Sequence, residues 1–136
     1  MRGATLALCA LCAGVAMADE DQGLPGGPPL DAAAFDALTL GKRMDTFDPQ
    51  SLYGIEEFLP GRRSIWKSEK GCKTATWAQV GDQICFWYED RPDDPDCWVY
   101  TLQDGVIWGW YQGRREGPVV RLVPGTRAMA CGYLGA

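Results

Sequence analysis

The chain has 136 residues, with 13 basic and 18 acidic side chains and a formal charge of −5, so neither nucleic acid nor an anionic membrane is an expected partner. It contains no histidine, which excludes Ser-His-Asp and Cys-His nucleophilic machinery, imidazole acid-base catalysis and His-ligated metal sites. Carboxylate pairs, Lys or Tyr proton transfer and oxygen-ligand cation binding stay open, but no cofactor, metal site or catalytic motif is expected, and the chain reads as a non-enzyme.

Residues 1–18 carry one basic side chain, Arg2, then an uncharged run rich in Ala, Leu and Cys, then the small-x-small pattern Ala16-Met17-Ala18. This is the pattern of a secretory signal peptide cleaved after Ala18. The apolar run is shorter than the roughly 20 residues that a membrane-spanning helix needs, and no later segment approaches that length, so no transmembrane segment is expected. Cleavage removes one positive charge and leaves −6. The expected compartment is outside the cytoplasm, in the periplasm or the medium. Residues 19–30 are acidic and then dense in Gly and Pro, which reads as a flexible spacer. The remainder, 31–136, is the size of one domain.

Asp31 stands as an N-cap before an alanine-rich stretch with Phe35 and Leu38 on one helical face, and Gly41 supplies a stop, so one short helix is predicted. From there the chain becomes short segments rich in aromatic and β-branched residues: 41–47, 52–59, 62–68, 72–80, 83–89, 97–103, 106–112 and 118–123. The separators carry Gly, Pro, Asp or Ser, as tight turns require. Short connections force antiparallel neighbours. The predicted fold is therefore mainly β, an antiparallel meander of about seven or eight strands forming a small closed or partly closed barrel, which protects its edges.

Two-residue turns at Gly81-Asp82 and Asp104-Gly105 would set Trp77 opposite Phe86 and Leu102 opposite Ile107,. With Cys85 opposite Cys97, one face collects Trp77, Ile84, Phe86, Tyr88, Trp98, Tyr100, Leu102, Ile107 and Tyr111. The other carries Val80, Trp87, Val99, Val106, Trp108 and Trp110, too apolar to stand bare in water. The helix, the C-terminal segment, a ligand or a partner must cover part of it.

Once Cys9 and Cys12 leave with the signal peptide, Cys72, Cys85, Cys97 and Cys131 remain. Four cysteines in an exported chain favour disulfides in one of three connectivities, and no Cys-x-x-Cys spacing supports zinc or thiol exchange. The hairpin register selects Cys85 with Cys97, leaving Cys72 with Cys131. The acids of residues 89–96 are hard ligands that calcium could use. Without an EF-hand spacing they read as a solvated turn whose charges discourage strand pairing between chains.

The residues Gly41-Lys42, Tyr53-Gly54, Leu59-Pro60-Gly61-Arg62-Arg63, Trp66, Cys72, Trp77, Gly81-Asp82, Ile84-Cys85-Phe86, Tyr88-Glu89 and Cys97-Trp98 together resemble a family of small exported proteins of alphaproteobacteria. These proteins share a "YLPGRR-x-x-W" strand, a "GD-x-ICF-x-Y" hairpin and a "CW" strand. The likeness runs to about Leu102 and departs at Thr74-Ala75-Thr76, where the family has Gly before x-Trp. It implies a lipocalin-like small β fold outside the cytoplasm and brings no activity with it.

Binding is the expected role. A closed meander of about eight strands can hold one small ligand, and Trp66, Trp77, Tyr88 and Trp98 are the candidate aromatic lining. Arg62 and Arg63, with Arg114 and Arg115 beside another turn, could receive a carboxylate or phosphate at the mouth, so the candidate ligand is small and apolar or anionic. The alternative is an envelope structural, interaction or inhibitor domain whose partner, another envelope protein, would dock on Trp108 and Trp110. A glycosidase-type pair from Glu56, Glu57 and Glu89 is disfavoured because Glu56 and Glu57 are strand neighbours that point to opposite faces.

Overall fold

The computed structural model describes residues 23–132; the expected signal peptide, the start of the spacer at 19–22 and residues 133–136 lie outside them. Helix α1 spans Ala32–Thr39. Its first turn is closed by Asp31, whose carboxylate accepts the Ala34 N–H at 2.8 Å,. The chain leaves the helix through Gly41 at φ +74°, a left-handed conformation that costs glycine little,.

Eight strands follow: β1 (Arg43–Phe47), β2 (Leu52–Leu59), β3 (Arg63–Ser68), β4 (Gly71–Val80), β5 (Gln83–Tyr88), β6 (Asp96–Gln103), β7 (Val106–Tyr111) and β8 (Val119–Pro124). Each pairs antiparallel with the next, and β8 returns to β1, so the meander is a closed barrel. The expected register holds: Trp77 faces Phe86, Ile84 faces Trp98, Cys85 faces Cys97 and Leu102 faces Ile107. Cys85–Cys97 and Cys72–Cys131 are both disulfides, with Cα atoms 4.0 and 5.9 Å apart.

In such a meander alternate turns share an end. The connections after β2, β4 and β6 lie together at the end where α1 docks. There Ala32 N–H donates to the Gln79 side chain, and Gly41 N–H donates to the Phe58 carbonyl. Phe35, fully buried, is driven into the barrel from this end. Its ring centroid lies 4.6 Å from Tyr100, 5.3 Å from Trp77 and 5.5 Å from Phe58, and Ile84, Ile107 and Leu122 complete the cluster. Gly109 makes room for this arrangement, since a Cβ there would sit 2.7 Å from the Tyr100 ring.

The expected inner face is buried or half-buried apart from Leu102, which is 37% exposed. The β5–β6 pairing stops at Ile84–Trp98, so the far half of β6 has no strand on that side. Chain preceding the helix takes the vacant place. Leu30 N–H donates to the Tyr100 carbonyl at 2.7 Å, and the Thr101 hydroxyl donates to the Pro25 carbonyl at 2.6 Å. The stretch expected to be a flexible spacer is thus anchored to the sheet at two points among its described residues. It also begins to cover the outer apolar face, where Val99 and Trp110 are buried while Val80 stays 54% exposed.

The C-terminal segment covers a different part of the outside. Met129 and Cys131 pack over Ile55 and Ile65 as a second small apolar cluster, and Arg127 holds Asp45 at 3.1 Å. The Cys72–Cys131 bond fastens this strap to β4. Because Phe35 is the side chain that fills one end of the barrel, Phe35→Ala is expected to cost about 3–5 kcal/mol, a large part of the stability of a domain this size. Urea unfolding of the purified domain measures it.

Candidate functional site

The connections after β1, β3, β5 and β7 ring the opposite end, and here the interior is not filled. A cup of about 680 Å³ opens between the strands, within the range of small-molecule sites. Its walls are the inward side chains of the open half, among them Trp66, Phe86, Tyr88, Trp98 and Tyr100. Trp66 on β3 and Trp98 on β6 come from strands three apart in the ring of eight. Each is steadied by a tyrosine: Tyr53 against Trp66 at 5.3 Å between centroids, and Tyr111 against Trp98 at 5.1 Å. Gly54 is required beside Trp66, because a Cβ there would fall 2.3 Å from the indole. Tyr53 is the residue left unpaired where the β1–β2 register shifts at Thr46 and Phe47, and it is exposed.

Glu56 lies deep in this half. Alternation along β2 turns Gly54, Glu56 and Phe58 inward and leaves Ile55 under the outer strap,. Glu56 is only 5% exposed. Ser64 Oγ donates to its Oε1 at 2.6 Å, and Tyr88 Oη lies 3.1 Å from Oε2 and 3.4 Å from Oε1. Among the described residues it has no salt-bridge partner. Burial therefore pushes its carboxyl up to about 7, against smaller downward pulls from the Ser64 and Tyr88 hydrogen bonds and from Lys73,. Tyr88 and Tyr100 are pushed well above the ordinary phenol range, first by burial and then by the neighbouring Glu56 charge, so both remain neutral.

Two of the bases that line the cup, Lys73 and Arg91, are already engaged. Lys73 Nζ lies 4.4 Å above the Tyr88 ring and 3.4 Å from Asp90. Arg91 holds Asp96 at 2.7 Å and Asp94 at 3.1 Å. Part of the acidic loop thus serves as partner to these two cations.

The structure brings Trp66, Tyr88 and Trp98 of the sequence-derived lining into one cup. It places the rest elsewhere. Arg62 lies in the connection between β2 and β3 and Arg63 opens β3, both at the helix end, where Arg62 covers the Trp77 ring at 5.3 Å and Arg63 Nε donates to the Pro60 carbonyl. They are not at the mouth, because that turn shares its end with the turns after β4 and β6. Trp77 is packed on Phe35 and does not reach the cup. Of the expected outer anchors, Trp110 is buried, 7% exposed, with its indole N–H donated to Thr101. Trp108 stacks on Trp110 under the Arg121 guanidinium. Trp110 is therefore part of the packing and not an exposed anchor.

Sequence reasoning missed Glu56 as a floor group and Lys73 as a wall group. The alternation Gly54-Glu56-Phe58 against Ile55-Glu57-Leu59 puts one glutamate on each face; it names the inward one only when the partner strand is known. The in-register facing of Glu56 and Trp66 by Lys73 across β3 and β4 is the signal that would have found both. Comparison with known proteins finds no matching family model, no similar curated protein and no similar solved structure.

The raised Glu56 carboxyl sets a pH dependence of stability. An unfolded chain gives up this proton near the ordinary glutamate value of 4.5, whereas the folded chain keeps it to about 7. Stability contributed at Glu56 is therefore full at low pH, falls between those values, and is lost above the upper one. The loss is of order 3 kcal/mol. Glu56→Gln is expected to flatten this dependence and to be the more stable variant at pH 8, read from thermal unfolding at pH 5 and pH 8.

Proposed function

We propose that this protein is an exported small-molecule binding module whose ligand enters the open end of the barrel and is held between Trp66 and Trp98. The observation that supports this most is the division of the interior: Phe35 fills one end and the other is a cup of ligand size walled by aromatic rings. Those rings give a large apolar contact area, while the hydroxyl and carboxyl groups of Tyr88 and Glu56 orient a polar group. Two disulfides suit an oxidising compartment,, and the described residues contain no helix long and apolar enough to cross a membrane. A place among the small exported alphaproteobacterial proteins that the chain resembles is part of the same proposal. Docking of an envelope protein on the Trp108–Trp110 face has weaker support, since Trp110 is already packed.

The neutral apolar dye N-phenyl-1-naphthylamine tests the binding role. Its emission is expected to rise saturably with one site per chain. Trp66→Ala or Trp98→Ala is expected to weaken binding about tenfold, the equivalent of about 1.4 kcal/mol, while Arg62→Ala and Arg63→Ala leave it unchanged. An unsaturable response, or a loss confined to the arginine variants, contradicts the reading.

A further inference from the structure

We propose that the cup selects an organic cation, a protonated amine on an apolar or aromatic body, whose ammonium sits over Glu56 among the tyrosine and tryptophan faces. The inference rests on the binding role above and names its ligand class. It starts from an imbalance in the buried half of the cup. Glu56 is enclosed and accepts hydrogen bonds from Ser64 and Tyr88, yet no cation is bonded to it among the described residues. A buried carboxylate is ordinarily paired with a cation or kept neutral by a proton. The bases nearest to it are paired with other acids, Lys73 with Asp90 and Arg91 with Asp94 and Asp96.

The charge of the lining points the same way. Asp48, Glu56, Glu69, Asp90 and Asp96 stand against Lys70, Lys73 and Arg91, five acids to three bases, in a chain of formal charge −5. A cleft of this sign draws cations in and repels anions. Aromatic faces are the complementary wall for a cationic head, and this wall already holds one, since Lys73 lies on the Tyr88 ring. Of the arginines expected to meet a carboxylate or phosphate, Arg62 and Arg63 are at the closed end, and Arg114 and Arg115, in the connection after β7 at the open end, are not among the residues that line the cup.

Cation binding requires Glu56 to be ionised. The groups facing it are Ser64 from β3, Lys73 from β4, Tyr88 from β5, and Asp96 and Tyr100 from β6. Burial holds its proton to about pH 7, so an amine displaces that proton, and its affinity rises with pH across neutrality.

The test compares three ligands with one body and three charges: phenethylamine, 2-phenylethanol and phenylacetate, each measured by displacement of N-phenyl-1-naphthylamine. At pH 8 the amine is expected to bind about tenfold or more tighter than the alcohol, and the acid weakest. From pH 5.5 to pH 8 amine affinity is expected to rise about tenfold while the alcohol stays level. Glu56→Gln is expected to remove both the amine preference and its pH dependence while the dye still binds. Equal affinities, a preference for phenylacetate, or an amine preference that survives Glu56→Gln overturns the assignment and leaves an apolar cup. Displacement by none of the three where the dye binds overturns it equally. Failure of the dye itself overturns the binding role and the assignment together.

Discussion

Everything in the interior follows from where Phe35 goes. An eight-stranded ring encloses about as much volume as side chains can fill, and a helix that inserts one phenylalanine among Phe58, Trp77, Phe86 and Tyr100 settles how that volume is divided. The filled end supplies the apolar core. The other end is left without a plug and becomes the cup. Closing the ring removes the exposed strand edges, and the two disulfides act on it from outside: one ties β5 to β6, and the other fastens the C-terminal strap over the outer faces of β2 and β3.

The division into a dry end and an open end gives Glu56 its chemistry. The same carboxyl on the outer surface would be ionised and inconsequential. Between Ser64 and Tyr88, with the Lys73 ammonium on the Tyr88 ring and paired with Asp90, it is either protonated or in need of a visiting charge. The structure keeps this cost because the surrounding hydroxyls satisfy the oxygens without neutralising them. Gly54 and Gly109 belong to the same plan, each leaving the space that Trp66 or Tyr100 occupies. Both are invisible as packing residues in a list of apolar side chains.

Much of the fold was legible because its signals are local. Turn residues set the strand boundaries to within about two residues, the two-residue turns set the β4–β5 and β6–β7 registers, and placing Cys85 opposite Cys97 set β5 against β6. What failed was long-range. That Trp110 would be buried depends on Thr101 and the chain leading into the helix, contacts that alternation along one strand does not contain. The misplacement of Arg62 and Arg63 was different, since the information was present. Alternate turns of a meander share an end, so arginines after the second strand and arginines after the seventh could never have flanked one mouth. Glu56 was legible as one of two alternating glutamates; the choice between the faces came from the strands around it.

The claim on which the site depends is that the open half of the barrel contains a buried carboxyl with no cation of its own. The carbon-13 chemical shift of the Glu56 carboxyl, followed against pH in labelled protein and assigned through Glu56→Gln, reports this directly. A midpoint near 7 is expected in the ligand-free protein, moving down when phenethylamine is present in excess. A midpoint in the ordinary carboxylate range without ligand would mean that water or an internal cation already reaches Glu56, and would contradict the account.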